Sequence, residues 1–250
     1  MDYINQFLTG DCIEVMRKIP AGVIDLVVTS PPYNLGGVSK GGKWKTPELS
    51  EGYNAHDDNM EHGDYVTWQR ACLTEMMRLI PDNGAIFYNH KWRVQGGLLQ
   101  DRSDILSGFP VRQIIIWQRA GGINFNPGYF LPTYEVIYLI AKPQFELADN
   151  ASSLGDVWSI KQESGSNLHP APFPVALSDR IIKSTNAQVI LDPFGGSGTV
   201  AVSAQRLGLD FVYIDNSVKY TKMAKDRLNF VVMPKNGSQL SLFGATNETT

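Results

Sequence analysis

The stretch "VILDPFGGSGTV", residues 189–200, combines an apolar run, an acidic residue, a glycine-rich turn and a helix-forming segment, in that order. This order is typical of a strand whose following turn and helix N-terminus present backbone N–H groups to a ligand. Asp215 ends a second strand-like run, "FVYID", at a position where a carboxylate commonly binds ribose hydroxyls. The stretch therefore predicts a nucleoside-binding edge in an α/β domain.

Two common phosphate-binding patterns do not fit this turn. A P-loop has a lysine before its Ser or Thr, and the segment Ser197, Gly198, Thr199 has none. The dinucleotide pattern G-x-G-x-x-G does not match "GGSGTV" either. The ligand class that remains is a nucleoside without a pyrophosphate. The glycine turn, together with the acid at the end of the next strand, favours S-adenosylmethionine. An alternative in which Asp192 and Asp215 only cap the following helices stays open.

The rest of the chain alternates between the two periodicities of regular structure, which predicts a parallel sheet covered on both faces. The strand-like runs are "YINQFL", "VIDLVV", "GAIFYNH", "VRQIIIWQ", "YEVIYLIAK", "AQVILD" and "DFVYID". Predicted helices are "CIEVMRKI" with Asp11 as N-cap, residues 64–80 ending before Pro81, one around "PVALSDRIIKST", one after Gly198, and one from residue 217 to about 228. A chain of 250 residues, 43% of them hydrophobic, fits one domain over residues 1–230 with a polar tail, residues 231–250.

Composition excludes several classes of protein. The first residues, "MDYINQFLTGD", have neither a charged nor an apolar targeting region, and no apolar run approaches the roughly 20 residues that span a bilayer. We therefore expect an intracellular, cytoplasmic protein without a membrane partner. Cys12 and Cys72 are too few for a disulfide framework and are expected to be buried spectators. The net charge of −3 means that any nucleic acid must be held by a local basic patch.

The stretch "TSPPYN", residues 29–34, ends the apolar run "VIDLVV" with two residues that lack an N–H. The prolines restrict the backbone from Ser30 onward and leave rigid carbonyl acceptors at the end of the strand. A planar amino group at this corner can donate to the Ser30 hydroxyl and the Pro31 carbonyl while Tyr33 stacks on its ring. The pattern predicts a pocket for a nucleobase, and an ordinary proline turn after a strand is the alternative.

The two stretches together resemble the amino-methyltransferases of DNA, which modify cytosine N4 or adenine N6. That family has a "[D/N/S]PP[Y/F]" motif, here Ser30, Pro31, Pro32 and Tyr33, and an "FxGxG"-type loop, here residues 194–198. The catalytic motif precedes the cofactor loop, as in the permuted β group. The resemblance implies a Rossmann-like α/β methyltransferase fold, with a mostly parallel seven-stranded sheet, helices on both faces and a circularly permuted motif order.

The resemblance also implies where S-adenosyl-L-methionine binds. The segments "GDCIEVMRKIP" and "HPAPFPVALSDRII" resemble parts of the family's cofactor site, and Asp215 stands where the family often has Glu. Asp215 is one methylene shorter than that Glu, and Tyr213 replaces a usual Gly. The implied cofactor residues are Asp11, His169, Pro170, Phe173, Asp192, Phe194, Gly195, Gly196, Ser197, Gly198, Thr199 and Asp215.

The same resemblance implies site-specific methylation of double-stranded DNA by direct attack of a flipped base's amino group on the methyl. Serine before the two prolines tends to accompany cytosine N4, so cytosine is favoured and adenine N6 is the alternative. An RNA or protein amino-methyltransferase fits less well, because there the cofactor loop normally comes first and Asn stands at the position of Ser30. A non-catalytic DNA-binding module is opposed by the intact motifs.

DNA contacts are predicted at two places. Residues 35–64 are rich in glycine and charge and predict a mobile DNA-contact loop, with Lys40, Lys43 and Lys45 on phosphates. Arg119 and Asn124 lie in a second loop that can reach base edges, Arg reading guanine and Asn adenine. A basic group of Lys91, Arg93 and Arg102 fits a solvated helix face.

A small target-recognition insert is predicted over residues 143–168, which favours a short recognition site or a homodimer sharing the work. The resemblance is compatible with a partner restriction endonuclease and with a prokaryotic or viral origin, and the sequence does not decide either of them. His56, Asp57, Asp58 and His62 fit no strong zinc pattern, so no metal is predicted.

Overall fold

The computed structural model describes residues 3–34, 59–119, 127–162 and 173–232. Its strands are β1 Gln6–Thr9, β2 Leu26–Thr29, β3 Ala85–His90, β4 Arg93–Gln95, β5 Leu98–Gln100, β6 Val111–Gln118, β7 Tyr134–Ala141, β8 Val157–Ser159, β9 Val189–Asp192 and β10 Asp210–Asp215. Its helices are α1 Cys12–Met16, α2 His62–Leu79, α3 Ser103–Leu106, α4 Val175–Lys183, α5 Thr199–Arg206 and α6 Val218–Val232, with a 3₁₀ turn at Ala151–Leu154. None of the helices in these ranges is long and apolar enough to cross a membrane.

The main sheet has the strand order β1, β10, β9, β2, β3, β7, β6, β8. The first five strands in this order, β1, β10, β9, β2 and β3, pair in parallel. Strand β7 runs antiparallel to both of its neighbours, β3 and β6. Strand β2 lies beside β9, with Val27 opposite Leu191. The double proline that follows β2 and the glycine turn that follows β9 therefore meet at the carboxyl edge of the parallel sheet, where ligands bind in open α/β folds.

The sheet of the described residues has eight strands, so the predicted number of seven was wrong. The additional strand is β8, which pairs in parallel with β6 inside the predicted recognition insert. Its three residues carry one buried side chain, Trp158, whose ring lies under the Arg180 guanidinium at 5.7 Å. A strand this short, in a polar segment, has too few residues to show a period of two.

The core consists of two layers, one on each face of the sheet. Leu26 and Val28 of β2 face α4 and α5, whereas Val27 faces α1 and α2. This alternation follows from the period of two in a strand, and both faces are apolar because helices cover both. Each fully buried Leu or Val contributes about 1.5–3 kcal/mol to folding. Burial of both faces of β2 therefore explains why the run before the double proline is continuously apolar.

The helix ends follow the local sequence. Asp11 caps α1 as predicted, and its carboxylate accepts from the Glu14 N–H at 3.0 Å. Helix α2 begins at His62, two residues before the predicted start, because the Glu61 side chain accepts from the Gly63 N–H and acts as the cap. It ends at Leu79, since Ile80 precedes a proline and is extended.

Candidate active site

One cavity of about 330 Å³ opens at the carboxyl edge of the sheet, between the double proline and the glycine turn. Its size is that of a small-molecule site. The predicted site residues in its wall are Asp11, Ser30, Pro31, Pro32, Tyr33, Arg119, Phe173, Asp192, Phe194, Gly195, Gly196, Ser197, Thr199 and Asp215. The predicted residues Lys40, Lys43, Lys45, Asn124, His169 and Pro170 lie outside the described residues.

The glycine turn is held tightly against β10 and α6. The Gly195 N–H donates to the Ile214 carbonyl at 2.9 Å, and a Cβ on Gly195 would lie 2.2 Å from the Tyr213 ring. Gly198, which immediately precedes α5, has φ +77°, and a Cβ there would meet the Cβ of Ala224 at 2.7 Å. Gly198 therefore serves the shape of the turn behind the cavity wall, where a side chain is excluded.

Two carboxylates fix the ends of the neighbouring strands. Asp192 accepts from the Thr29 hydroxyl at 2.8 Å and from the Phe194 N–H at 3.1 Å. Burial raises the pKa of Asp192 to about 7, and the nearby Asp215 charge adds to the rise. Asp215 accepts from the Gly196 N–H at 2.9 Å and from the Ser217 N–H at 2.8 Å, and burial raises its pKa as well. Both acids brace backbone N–H groups and also face the cavity, so helix capping alone does not describe them.

The corner after β2 is supported from below by a buried polar network. The Pro32 carbonyl accepts from the Tyr65 hydroxyl at 2.8 Å and from the Gln69 side chain at 3.3 Å. This carbonyl therefore accepts its hydrogen bonds from side chains of the fold itself. The Tyr33 ring stacks on His90, with ring centroids 4.7 Å apart. Burial, together with the positive charge of Arg102, lowers the pKa of His90 to about 3, so the ring beneath Tyr33 is neutral at physiological pH.

The wall opposite the glycine turn contains two residues that the sequence analysis did not single out, Asn89 and Glu135. The Glu135 carboxylate receives the Tyr33 hydroxyl at 3.1 Å and the Asn89 amide at 2.9 Å on one oxygen, Oε2. Its other oxygen, Oε1, pairs with Arg119 at 3.1 Å. The Tyr33 hydroxyl also lies 2.7 Å from the Ser30 hydroxyl. The signal for both residues was a polar side chain at one end of an otherwise apolar strand.

The structure changes the interpretation of the basic residues. Arg119 belongs to the cavity wall, and only 15% of its side chain is exposed. The group of Lys91, Arg93 and Arg102, which was expected on a solvated helix face, is not on a helix, and Arg102 is 1% exposed. Lys91 lines the cavity, and burial lowers its pKa, helped by the charge of Arg119.

The two cysteines and His62 show no catalytic arrangement in the described part of the chain. Cys12 and Cys72 are both buried, as predicted, with their sulfur atoms 3.7 Å apart. The hydrogen bond to Cys12 and burial raise the pKa of Cys72, which opposes a reactive thiolate. His62 pairs with Asp104 at 2.8 Å. Within the described ranges, no cluster of three His, Cys, Asp or Glu side chains could hold a metal ion, and residues 56–58 lie outside those ranges.

Comparison with known proteins identifies the family. Residues 24–226 match the N6_N4_Mtase family, described as DNA methylase. The chain is 26% identical over 268 residues to the Type II methyltransferase M.HinfI of Haemophilus influenzae, an alignment that covers 96% of this chain and 72% of that protein.

Two solved structures share the fold. PvuII DNA methyltransferase, cytosine-N4-specific, has a TM-score of 0.69 at 18% identity, covering 93% of this chain and 88% of that one. A DNA modification methylase of Thermus thermophilus, complexed with S-adenosyl-L-methionine, has a TM-score of 0.65 at 24% identity, covering 90% and 95%. The family match spans the double proline, the glycine turn and both acids of the cavity. The chain therefore belongs to the N4-cytosine/N6-adenine family of DNA methylases, and it is an S-adenosylmethionine-dependent DNA methyltransferase.

Proposed function

We propose that this enzyme methylates the N4 amino group of cytosine in double-stranded DNA, after the base has been flipped out of the helix. The observation that carries the proposal is the position of Ser30, whose hydroxyl lines the same cavity as the glycine turn. In the family that the chain belongs to, serine at this position tends to accompany cytosine. Adenine N6 is the second candidate, because its amino group and ring nitrogen present the same local donor and acceptor pair.

The residues beside the glycine turn fit S-adenosylmethionine. Asp215 is fixed by two backbone N–H groups and offers a carboxylate for ribose hydroxyls. Phe194 supplies an aromatic surface, Asp11 a second carboxylate, and Asp192 a third, close to the Ser30 corner through Thr29. When bound, S-adenosylmethionine supplies an electrophilic methyl group. His169 and Pro170 remain predicted cofactor residues outside the described ranges.

The chain's own residues act by orientation. Ser30 and the Pro31 carbonyl accept the hydrogens of the amino group, and Tyr33 holds the ring by stacking. Each net hydrogen bond contributes about 0.5–1.5 kcal/mol, whereas orienting two reactants contributes roughly 7–11 kcal/mol. Positioning therefore outweighs polarisation. A covalent nucleophile is not required, in agreement with the buried, protonated Cys72.

Access to the cavity requires that the base leave the duplex, which costs a few kcal/mol that stacking on Tyr33 partly offsets. Lys40, Lys43 and Lys45 remain the predicted phosphate contacts in the loop of residues 35–64, and Asn124 remains a predicted base-edge contact. Residues 143–168 remain the predicted recognition insert. The name Type II for M.HinfI supports the proposal of a partner restriction endonuclease. A homodimer and a cytoplasmic location in a prokaryotic or viral setting are further parts of the proposal.

Methyl transfer from labelled S-adenosylmethionine to mixed-sequence duplex DNA, followed by nucleoside digestion and mass analysis, tests the proposal. N4-methylcytosine is the expected product. N6-methyladenine as the sole product would keep the reaction and overturn the base assignment. Transfer to RNA or protein instead of DNA, under conditions where the cofactor raises the melting temperature, would overturn the substrate class.

A further inference from the structure

We infer that Arg119, held in place by Glu135, is the residue that selects cytosine over adenine, by donating hydrogen bonds to the ring edge of the flipped base. The inference rests on the proposed function and assigns a residue to its specificity. Neither the family motif nor the glycine turn contains Arg119 or Glu135. Both residues share the cavity wall with Ser30.

Arg119 is placed by the sheet. It directly follows β6, and its N–H donates to the Thr133 carbonyl at 2.9 Å, so its backbone continues the pairing of β6 with β7. Its guanidinium lies 3.1 Å from Glu135 Oε1, and Glu135 directly follows the first residue of β7. A side chain that is 15% exposed and fixed in this way cannot extend from a loop to read a base in the DNA groove. It faces the same cavity as Ser30 and Tyr33.

Glu135 joins this arginine to the catalytic corner. One carboxylate oxygen receives the Tyr33 hydroxyl and the Asn89 amide, and the other receives Arg119. A carboxylate with three donors has its charge compensated, so it neither repels nor competes for the acceptor edge of a base. The remaining N–H groups of the planar guanidinium have a fixed direction.

The two candidate bases differ along the edge that continues from the amino group. Cytosine presents the acceptors N3 and then O2, whereas adenine presents the acceptor N1 and then a C–H. With the amino group at Ser30, a guanidinium farther along the edge finds two acceptors in cytosine and one in adenine. With adenine, one N–H donor of the arginine faces a C–H group. That donor has lost its water without gaining a hydrogen bond, which costs free energy. Selection on the order of 10- to 100-fold follows.

Lys91 is the other cationic side chain that the described residues place in this wall, and it is the weaker candidate. Burial lowers its pKa, and the Arg119 charge lowers it further, so it gives up its proton more readily. Arg119 has the planar fork of N–H donors that matches two adjacent acceptors.

Replacement of one atom of the base tests the contact directly. Mixed-sequence duplexes are prepared with cytosine or with 2-thiocytosine, in which a weak acceptor replaces O2, and the rates of N4 methylation are compared. The variants are Arg119→Met and Arg119→Lys, with Arg112→Met as the matched control. Arg112 lies on β6, the strand that Arg119 directly follows, and donates to the Phe145 carbonyl away from the cavity.

The wild type and Arg112→Met are expected to lose about tenfold or more in rate on the thio substrate, since a donor of Arg119 loses its strong acceptor. Arg119→Met is expected to be slow on both substrates, with a ratio near one, and to show a raised share of N6-methyladenine. Retention of the wild-type ratio by Arg119→Met, or a ratio near one in the wild type itself, overturns the inference. Failure of the proposed function is distinguishable, because the wild type alone would then yield N6-methyladenine or no methylated DNA.

Discussion

The Thr29 hydroxyl donates a hydrogen bond of 2.8 Å to the Asp192 carboxylate, although 163 residues separate the two along the chain. Thr29 ends the strand before the double proline, and Asp192 ends the strand before the glycine turn. This bond fixes the catalytic corner relative to the cofactor turn. It lies in a buried environment, where an unsatisfied group is costly.

Replacement of Thr29 with Val removes this hydroxyl and keeps the side-chain volume. We expect a loss of about 1–3 kcal/mol in the free energy of unfolding, measured in urea, because the buried Asp192 carboxylate loses one of its two donors and keeps only the Phe194 N–H. Thr74→Val is the matched control, since its hydroxyl bonds to the Arg70 carbonyl on the exposed surface of α2. An equal loss in both variants would contradict the role of the Thr29 bond.

The raised pKa of Asp192 gives stability a defined pH dependence. The folded pKa of about 7 lies above the ordinary aspartate value, so the unfolded chain releases this proton first as pH rises. The contribution of Asp192 to stability therefore falls between about pH 4 and pH 7 and is flat above, by a total on the order of a few kcal/mol. The difference in unfolding free energy between wild type and Asp192→Asn, measured from about pH 5 to pH 8.5, isolates the effect. A difference that rises with pH would refute it.

Gly195→Ala tests the contact of the glycine turn with β10. The added Cβ would lie 2.2 Å from the buried Tyr213 ring, so the turn that lines the cavity must move away from that ring. We expect a lower melting temperature and the loss of the shift that S-adenosylmethionine causes. Gly208→Ala has a positive φ, +72°, and open space around its Cβ, so it should cost about 1–2 kcal/mol and leave cofactor binding intact.

Two substitutions of Tyr33 separate its ring from its hydroxyl. Tyr33→Phe keeps the stacking on His90 and removes the bonds to Ser30, Asn89 and Glu135. Its kcat is expected to fall about tenfold, with little change in KM for DNA, as Ser30 and Glu135 lose a shared partner. Tyr33→Ala also removes stacking on the base, and a further loss of about 10- to 100-fold in kcat/KM is expected. Equal kinetics for the two variants would show that the ring does not stack on the base.

The pair of Glu135 and Arg119 should behave as a coupled unit in stability as well. Only 9% of the Glu135 side chain and 15% of the Arg119 side chain are exposed, so Glu135→Gln leaves a buried guanidinium without its counterion. A loss of about 3–5 kcal/mol in the free energy of unfolding is expected. The double variant Glu135→Gln, Arg119→Met should recover part of that loss. Strict additivity of the two changes in urea unfolding would show that the pair does not interact.

Local periodicity and turn chemistry predicted much of the fold and the site. Asp11 caps its helix, β2 is buried on both faces, and the two motifs meet at one edge because each follows a parallel strand. These features depend on residues that are close along the chain.

The remaining wall could not be predicted because it depends on strand order. Strand β7 lies between β3 and β6, antiparallel to both, and this brings Glu135 to Asn89 and Arg119. Antiparallel placement has no local signature in an apolar strand, so "YEVIYLI" showed only a charge at its start. Arg102 was misassigned for a related reason, since nothing in its neighbours indicates that it is buried.

The stack of Tyr33 on His90 has a geometric consequence for the substrate. Because the imidazole covers one face of the tyrosine ring, an incoming base has only the other face to lie on. A flipped base that stacks on Tyr33, as proposed, therefore completes a three-ring stack in which the tyrosine lies between the imidazole of His90 and the base.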